Sequence, residues 1–307
     1  MICYLDCDTG IDDALAVALL LAAPGVDLAG VGTVSGNTGA DQAARNTLDL
    51  LGLAGRDDVP VAVGARHPLG ESFAGGSPGV HGDNGIGGVS LPTARRGPID
   101  RDGADLLLDL ARTHPGELRV IATGPLTNLA VALQREPALP GLVHDLTVMG
   151  GAVRVPGNRG PAEANFADDP RAVTAVLDAG WPVTLVPLDV TRQHTFGPAD
   201  QTALRGAGTS LTVALADMLT AYLDFYEGSS GVRRVPLHDP LAAGIAVGLL
   251  QPDDAPLLGL RVDKDGHAIE DSAARTRTRV VLSLIADGAP VIRTLICGAV
   301  TPPGASG

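Results

Sequence analysis

Short runs of Val, Leu and Ile alternate with helix-like stretches along most of this chain, and that alternation limits the fold more than any other feature. Residues 2–8 read as a strand, Gly10 turns the chain, and Asp12 is placed to cap a helix running through Asp13, Ala14 and Leu15 to about Ala23. A second strand over 27–34 leads into Ser35-Gly36-Asn37-Thr38 and a helix over about 41–53. Further apolar runs at 119–123, 146–149 and 183–188 are separated by helical stretches such as 126–134 and 170–179. Strands this apolar suit a sheet covered on both faces, so the expectation is an α/β fold with a mostly parallel central sheet flanked by helices. From about Ala199 the pattern turns helix-rich, with 211–226 and 240–250 the clearest segments. Residues 277–285 read as one more strand and 301–307 as a loose tail.

The chain has 307 residues, 45% of them hydrophobic, and shows no Ser/Pro-rich or charge-rich linker, so one domain over 1–307 is expected. At this length roughly 75% of the extended surface can be buried. A formal charge of −13 argues against a nucleic-acid polymer or an anionic membrane surface as partner and favours a small neutral substrate or a cation. Cys3, Cys7 and Cys297 form no even framework, which points to a reducing compartment, the cytoplasm, without structural disulfides. The start of the chain lacks a basic n-region, and Asp6 and Asp8 interrupt its apolar stretch, so no signal peptide is read. The longest apolar run, 14–23, is about half of the roughly 20 residues a membrane-spanning helix needs.

Candidate chemistry begins at the first strand. Alternate strand residues face one side, so Asp6 and Asp8 are expected to project together while Cys3, Leu5 and Cys7 face the other way. Asp12 and Asp13 follow at the helix start. Four carboxylates folded back by one turn raise one another's pKa unless a cation sits among them, and a hard divalent metal resolves the repulsion. Each residue alone also fits capping or solvation. Together, at the carboxyl edge of a strand where open α/β sheets bind ligands, they favour a metal site. The spacing Asp-x-Asp-x-x-x-Asp-Asp is not that of an EF-hand.

Other polar residues fall at the same edge. Asn37 follows the second strand, and Thr123 follows the run 119–122 with its carbonyl free to point outward as an oxygen ligand. Asn158, Glu163 and Asn165 suit a sugar diol but also fit a capping loop. Asp239 before Pro240 reads as a helix N-cap that can also reach a metal, and His238 as an acid near neutral pH. The glycine-rich stretch 74–88 is too flexible for a core element and carries His81.

The segment Asp6-Cys7-Asp8-Thr9-Gly10-Ile11-Asp12-Asp13-Ala14 closely resembles the signature of the inosine-uridine preferring nucleoside hydrolase family. The resemblance continues in order through Ser35-Gly36-Asn37, His81-Gly82, 122–128, Met149-Gly150-Gly151, Glu163-Ala164-Asn165 and His238-Asp239-Pro240. Thr9 stands where the pattern often has Pro, and Ala164 where some members carry an aromatic residue. The resemblance implies one bound Ca²⁺ held by Asp8, Asp13, the Thr123 carbonyl and Asp239. It implies ribose contacts from Asp12, Asn37, Asn158, Glu163 and Asn165, and a base pocket from His81, Tyr226 and His238. Asp8 would be the general base and His238 the donor to the leaving base, with His81 second. A homodimer or homotetramer is the expected assembly. Positive charge develops on the sugar as a ribosyl C–N bond breaks, and an acidic pocket stabilises it.

Two rival readings remain at this level. A phosphatase of the haloacid dehalogenase type also starts with Asp-x-Asp after an apolar strand, but it wants a hydroxyl where this chain has Gly10, and a Lys upstream of a late acidic motif where the only Lys is Lys264. A non-catalytic nucleoside or ribose binder would need the same residues as the hydrolase.

Overall fold

The computed structural model describes residues 1–298; the expected loose tail over 301–307 lies outside the described residues. Its frame is an eight-stranded sheet. In chain order the strands are β1 (Ile2–Cys7), β2 (Asp27–Thr33), β3 (Val61–Val63), β4 (Leu118–Ala122), β5 (Asp145–Met149), β6 (Val183–Val186), β7 (Leu257–Leu258) and β8 (Thr278–Val280). Their spatial order is β7-β8-β6-β5-β4-β1-β2-β3, and every neighbouring pair is parallel except β7 with β8.

The apolar runs become strands because both faces are buried. One face packs against α1 (Ile11–Ala22), α6 (Ser210–Ser230), α7 (His238–Ala246) and α8 (Gly288–Gly298), and the other against α3 (Gly103–Thr113), α4 (Thr127–Arg135) and α5 (Pro170–Asp178). The helix α2 (Ala40–Leu53) joins the first group through Ala44, Leu50 and Leu51. Helix α1 has no exposed face over 11–20: Ile11, Leu15 and Leu19 are at most 1% exposed. Burial of each such side chain is worth about 1.5–3 kcal/mol, which explains why so apolar a run is a core helix.

The topology positions the site. From β1 the chain moves outward through β2 to β3, then returns to the opposite side of β1 as β4. The crevice outside the carboxyl ends of β1 and β4 is the switch point at which open α/β sheets receive ligands. The strand ends are stitched there, since Thr123 N–H donates to the Asp6 carbonyl at 2.8 Å and Val34 N–H to the Cys7 carbonyl at 3.0 Å.

Three local expectations change. Helix α1 starts at Ile11 with Gly10 as its N-cap, not Asp12. Asp13 reaches back to accept Gly10 N–H at 2.7 Å, which begins the helix early and leaves Asp12 and Asp13 in its first turn. Likewise α7 starts at His238 after Leu237, so Asp239 is a first-turn residue rather than the cap. The expected strand over 277–285 divides: Thr278–Val280 joins β6, while Ser283–Leu284 pairs with Pro252–Asp254 in a separate ribbon. Residues 252–284 therefore hold several short strands inside a region that reads as helix-rich.

Candidate functional site

The carboxyl edge of the sheet opens into a cavity of about 210 Å³. Its floor is acidic. Asp8 lies just past β1, Asp12 and Asp13 in the first turn of α1, and Asp239 in the first turn of α7, all at most 5% exposed. The two helices pack against each other, so their N-terminal dipoles converge on these carboxylates and favour negative charge there.

Asn37 organises the floor. Its backbone N–H donates to Asp8 Oδ2 at 2.5 Å, and its amide Nδ2 lies 3.3 Å from Asp8 Oδ1 and 3.2 Å from Asp13 Oδ2. Thr123 Oγ1 donates to the other Asp13 oxygen at 2.7 Å. Two glycines are required by close approach: a Cβ on Gly36 would sit 2.1 Å from Asp8 Oδ2, and one on Gly10 would sit 2.5 Å from Asn37 Nδ2.

Asp12, Asp13 and Asp239 each offer an oxygen within 4.8 Å of the others. Asp12 Oδ1 is buried without a hydrogen-bond partner, and Asp12 and Asp239 stand in hydrogen-bond contact, which two carboxylates tolerate only with a proton or cation between them. Burial raises Asp12 to about 6 against its hydrogen bonds, and burial followed by repulsion from neighbouring carboxylates raises Asp13 to about 6 and Asp8 and Asp239 well above the ordinary carboxylate value. Among the described residues no Lys or Arg is a leading cause of any of these shifts. A buried, uncompensated set of oxygen donors fits a hard divalent cation.

Asp6 does not belong to this set. It shares a strand face with Tyr4, but that face lies beneath α3 and α4: Asp6 Oδ2 accepts from Tyr4 Oη at 2.8 Å and Asn128 Nδ2 at 3.0 Å. The pocket begins one residue beyond the strand, where Asp8 can turn toward Asn37.

One side of the cavity is polar. Asn165 Nδ2 donates to the carbonyls of Thr123 at 2.8 Å and Met149 at 3.2 Å, tying together the ends of β4 and β5. Glu163 caps the short helix Ala164–Asp168, and its oxygens accept from the N–H groups of Asn165, Phe166 and Gly151. Burial nonetheless raises Glu163 to about 7. Asn158 lines the rim and accepts Ala164 N–H at 2.9 Å.

The opposite wall is aromatic and imidazole. A short helix, Pro78–His81, carries His81 out of the glycine-rich stretch into the cavity, where its Nδ1 accepts Ile11 N–H at 3.1 Å. Tyr222 and Tyr226 lie one turn apart on α6, their ring centroids 5.2 Å from each other. Tyr222 Oη donates to Asp12 Oδ2 at 3.2 Å, and Tyr226 Oη lies 3.4 Å from His238 Nε2. Burial lowers His81 to about 4, and burial with nearby Arg192 lowers His238 to about 3. Burial thus favours the neutral form of both imidazoles. Tyr222 was not singled out by motif; its signal is an aromatic residue four positions before Tyr226.

Asp12, Asn37, His81, Thr123, Asn158, Glu163, Asn165, Tyr226, His238 and Asp239 thus all line one cavity, with Asp8 and Asp13 bonded beneath it. Lys264 is 86% exposed, pairs with Asp265 and does not line the cavity, so the lysine a haloacid dehalogenase-type phosphatase requires is absent from the site.

Fold and cavity together define an α/β protein with a buried acidic crevice at the carboxyl edge of its sheet. The sequence profile of the inosine-uridine preferring nucleoside hydrolases matches residues 3–292. Uridine nucleosidase 1 of Arabidopsis thaliana is 36% identical over 250 residues, 81% of this chain and 74% of that protein. The pyrimidine-specific ribonucleoside hydrolase RihA of Citrobacter koseri is 36% identical over 76% of this chain and 75% of its own length. A purine-preferring ribonucleoside hydrolase from Gardnerella vaginalis superposes with a TM-score of 0.90 at 31% identity, covering 97% of this chain and 99% of that one. The chain belongs to the inosine-uridine preferring nucleoside hydrolase family and is an N-glycosyl hydrolase of ribonucleosides. Neither the phosphatase nor the non-catalytic binder accords with that membership.

Proposed function

We propose that the chain hydrolyses ribonucleosides to ribose and free base at the acidic cavity, with Ca²⁺ held by Asp8, Asp13, Asp239 and the Thr123 carbonyl. The observation that carries this is the buried carboxylate cluster with an orphaned Asp12 oxygen and, among the described residues, no Lys or Arg as a leading influence on its charge. When bound, the cation supplies Lewis-acid chemistry that orients the sugar diol and acidifies a water. Asp8 accepts the proton of the attacking water. Asp12 and Asn37 bind the ribose hydroxyls from the floor, and Asn158, Glu163 and Asn165 bind the sugar from the polar side. The remaining carboxylate charge stabilises the cationic sugar as the C–N bond lengthens. The base lies between His81, Tyr226 and His238, with His238 as hydrogen-bond donor to the departing nitrogen and His81 as second donor. Attack by water in a single displacement inverts the anomeric carbon.

The relatives named as uridine nucleosidases support uridine among the substrates. A single domain over 1–307 and a homodimer or homotetramer in the cytoplasm complete the reading. Exposed Leu257 and Ile285 support self-association, and unpaired Cys3, Cys7 and Cys297 support a reducing compartment. Incubation with uridine, cytidine and inosine, scored for reducing sugar before and after chelation, tests the proposal: release is expected, lost on chelation and restored by Ca²⁺. Full activity in metal-free protein would overturn the cation's role.

A further inference from the structure

Thr191 ends the short helix Leu188–Thr191 just beyond β6, fully buried and outside the cavity lining. Its backbone is already used, with N–H donating to the Pro187 carbonyl at 3.1 Å and the carbonyl accepting from His194 N–H. Its hydroxyl has one partner among the described residues, His238 Nδ1 at 2.8 Å. A buried hydroxyl must give its proton to an acceptor, and Nδ1 is the acceptor in reach. A ring nitrogen that accepts a hydrogen bond carries no proton, so the imidazole proton is on Nε2, the nitrogen that faces Tyr226 at the cavity wall.

His81 shows the same arrangement with no ambiguity of direction. Its Nδ1 accepts a backbone N–H, from Ile11 at 3.1 Å, and an amide can only donate. Its proton is therefore on Nε2, which has no partner among the described residues and is not among the fully enclosed atoms. Both histidines of the wall carry a donor at the back and an N–H at the front.

We propose that Thr191 is a positioning residue for leaving-group departure, locking His238 as the Nε2–H tautomer so that it presents a hydrogen-bond donor to the departing base. The inference rests on the proposed role of His238 at that base. No bond to the imidazole forms or breaks; Nε2–H donates a hydrogen bond to the base nitrogen as negative charge grows there. With the opposite tautomer, Nε2 would offer a lone pair to the same nitrogen and repel it.

Thr191→Val keeps the shape and removes the hydroxyl, and Thr191→Ser restores it. The valine variant is expected to lower kcat on uridine and inosine roughly 10- to 100-fold with little change in KM, and the serine variant to recover most of the loss. p-Nitrophenyl β-ribofuranoside, whose leaving group needs no protonation, separates positioning from general damage. The fall on it is expected to be much smaller, and equal falls on both substrate types would overturn the proposal. Imidazole ¹⁵N NMR of the intact wild-type protein at neutral pH, with the His238 signals assigned by loss in His238→Ala, reads the tautomer without a Thr191 variant. An unprotonated Nδ1 and protonated Nε2 are expected, and a protonated Nδ1 refutes the inference. If His238→Ala turns over nucleosides normally, the proposed role of His238 fails instead, and the tautomer result stands apart from it.

Discussion

On the floor of the cavity Asp8, Asp12, Asp13 and Asp239 are 5% exposed or less, and on its wall His81 and His238 are both 5% exposed. Burial acts on both sets in the same chemical sense, toward the neutral form, yet with opposite results. It raises the carboxylates, which repel one another further, and lowers the histidines, which become ordinary neutral donors. The floor cannot carry its full charge alone and needs a cation. The wall is complete as it stands, each Nδ1 satisfied from the protein. The comparison assigns charge and water activation to the floor, and departure of the base to the wall.

Asp8→Ala strikes the floor at its centre. Because Asp8 is proposed both to hold the cation and to accept the water proton, kcat is expected to fall by about 10³-fold or more. Steady-state release of reducing sugar at saturating Ca²⁺ measures it, and near-normal turnover would remove Asp8 from both roles. His238→Ala strikes the wall, and about 10²-fold is expected on nucleosides. Calorimetric titration of Ca²⁺ is the sharper measurement here, since the affinity should match the wild type. A parallel loss of affinity would show that floor and wall are not separable.

The floor is the part the sequence states most directly. Asp8, Asp12 and Asp13 come from one strand-turn-helix of local geometry, and Asn37, Thr123 and Asp239 follow from recognising further strand ends and a helix start. The alternation of apolar runs also gives the parallel sheet, because burial on both faces leaves few other arrangements. The wall is less legible. Tyr222 bonds Asp12 across 210 positions and Thr191 bonds His238 across 47, and neither pairing has a local pattern. Asp6 shows the limit of strand alternation: it fixes which face a side chain takes, but not that this face is roofed by helices until the strand ends. The short strands between 252 and 284 escape for a similar reason, since two- or three-residue pairings are chosen by tertiary contact rather than by local propensity.

The pH dependence of stability offers a third test of the contrast. Asp12 and Asp13 are raised from 3.8 to about 6, so the folded metal-free protein holds protons that the unfolded chain releases. Their contribution is therefore fully present below about pH 4 and is lost as pH rises through about 6. His81 and His238, lowered to about 4 and 3, oppose this within the same window, while Asp6 and Glu163, each raised to about 7, add to it and extend it to about pH 7. Asp41 and Asp58, lowered by Arg66 and Arg56, act in the opposite sense below it. The Tm of metal-free protein is expected to decline between pH 5 and 7, and saturating Ca²⁺ to abolish most of the decline. Asp12→Asn should flatten the metal-free profile, whereas a slope unchanged in that variant would mean the floor does not set it.

Tyr226→Phe probes the seam between the two regions with the smallest expected effect. Tyr226 touches the wall at His238 Nε2 and stacks edge-on against Tyr222, which itself donates to the floor at Asp12. Removing only the hydroxyl keeps the ring contact and deletes a long hydrogen bond of 3.4 Å. The loss should be worth at most ~1 kcal/mol, roughly fivefold in kcat/KM. Because Asp12 keeps its Tyr222 donor, Ca²⁺ affinity and the metal-free pH profile of Tm are expected to match the wild type. A loss of affinity in this variant would mean that the hydroxyl chain couples wall to floor, so that the departing base and the cation compete for one hydrogen-bonded network.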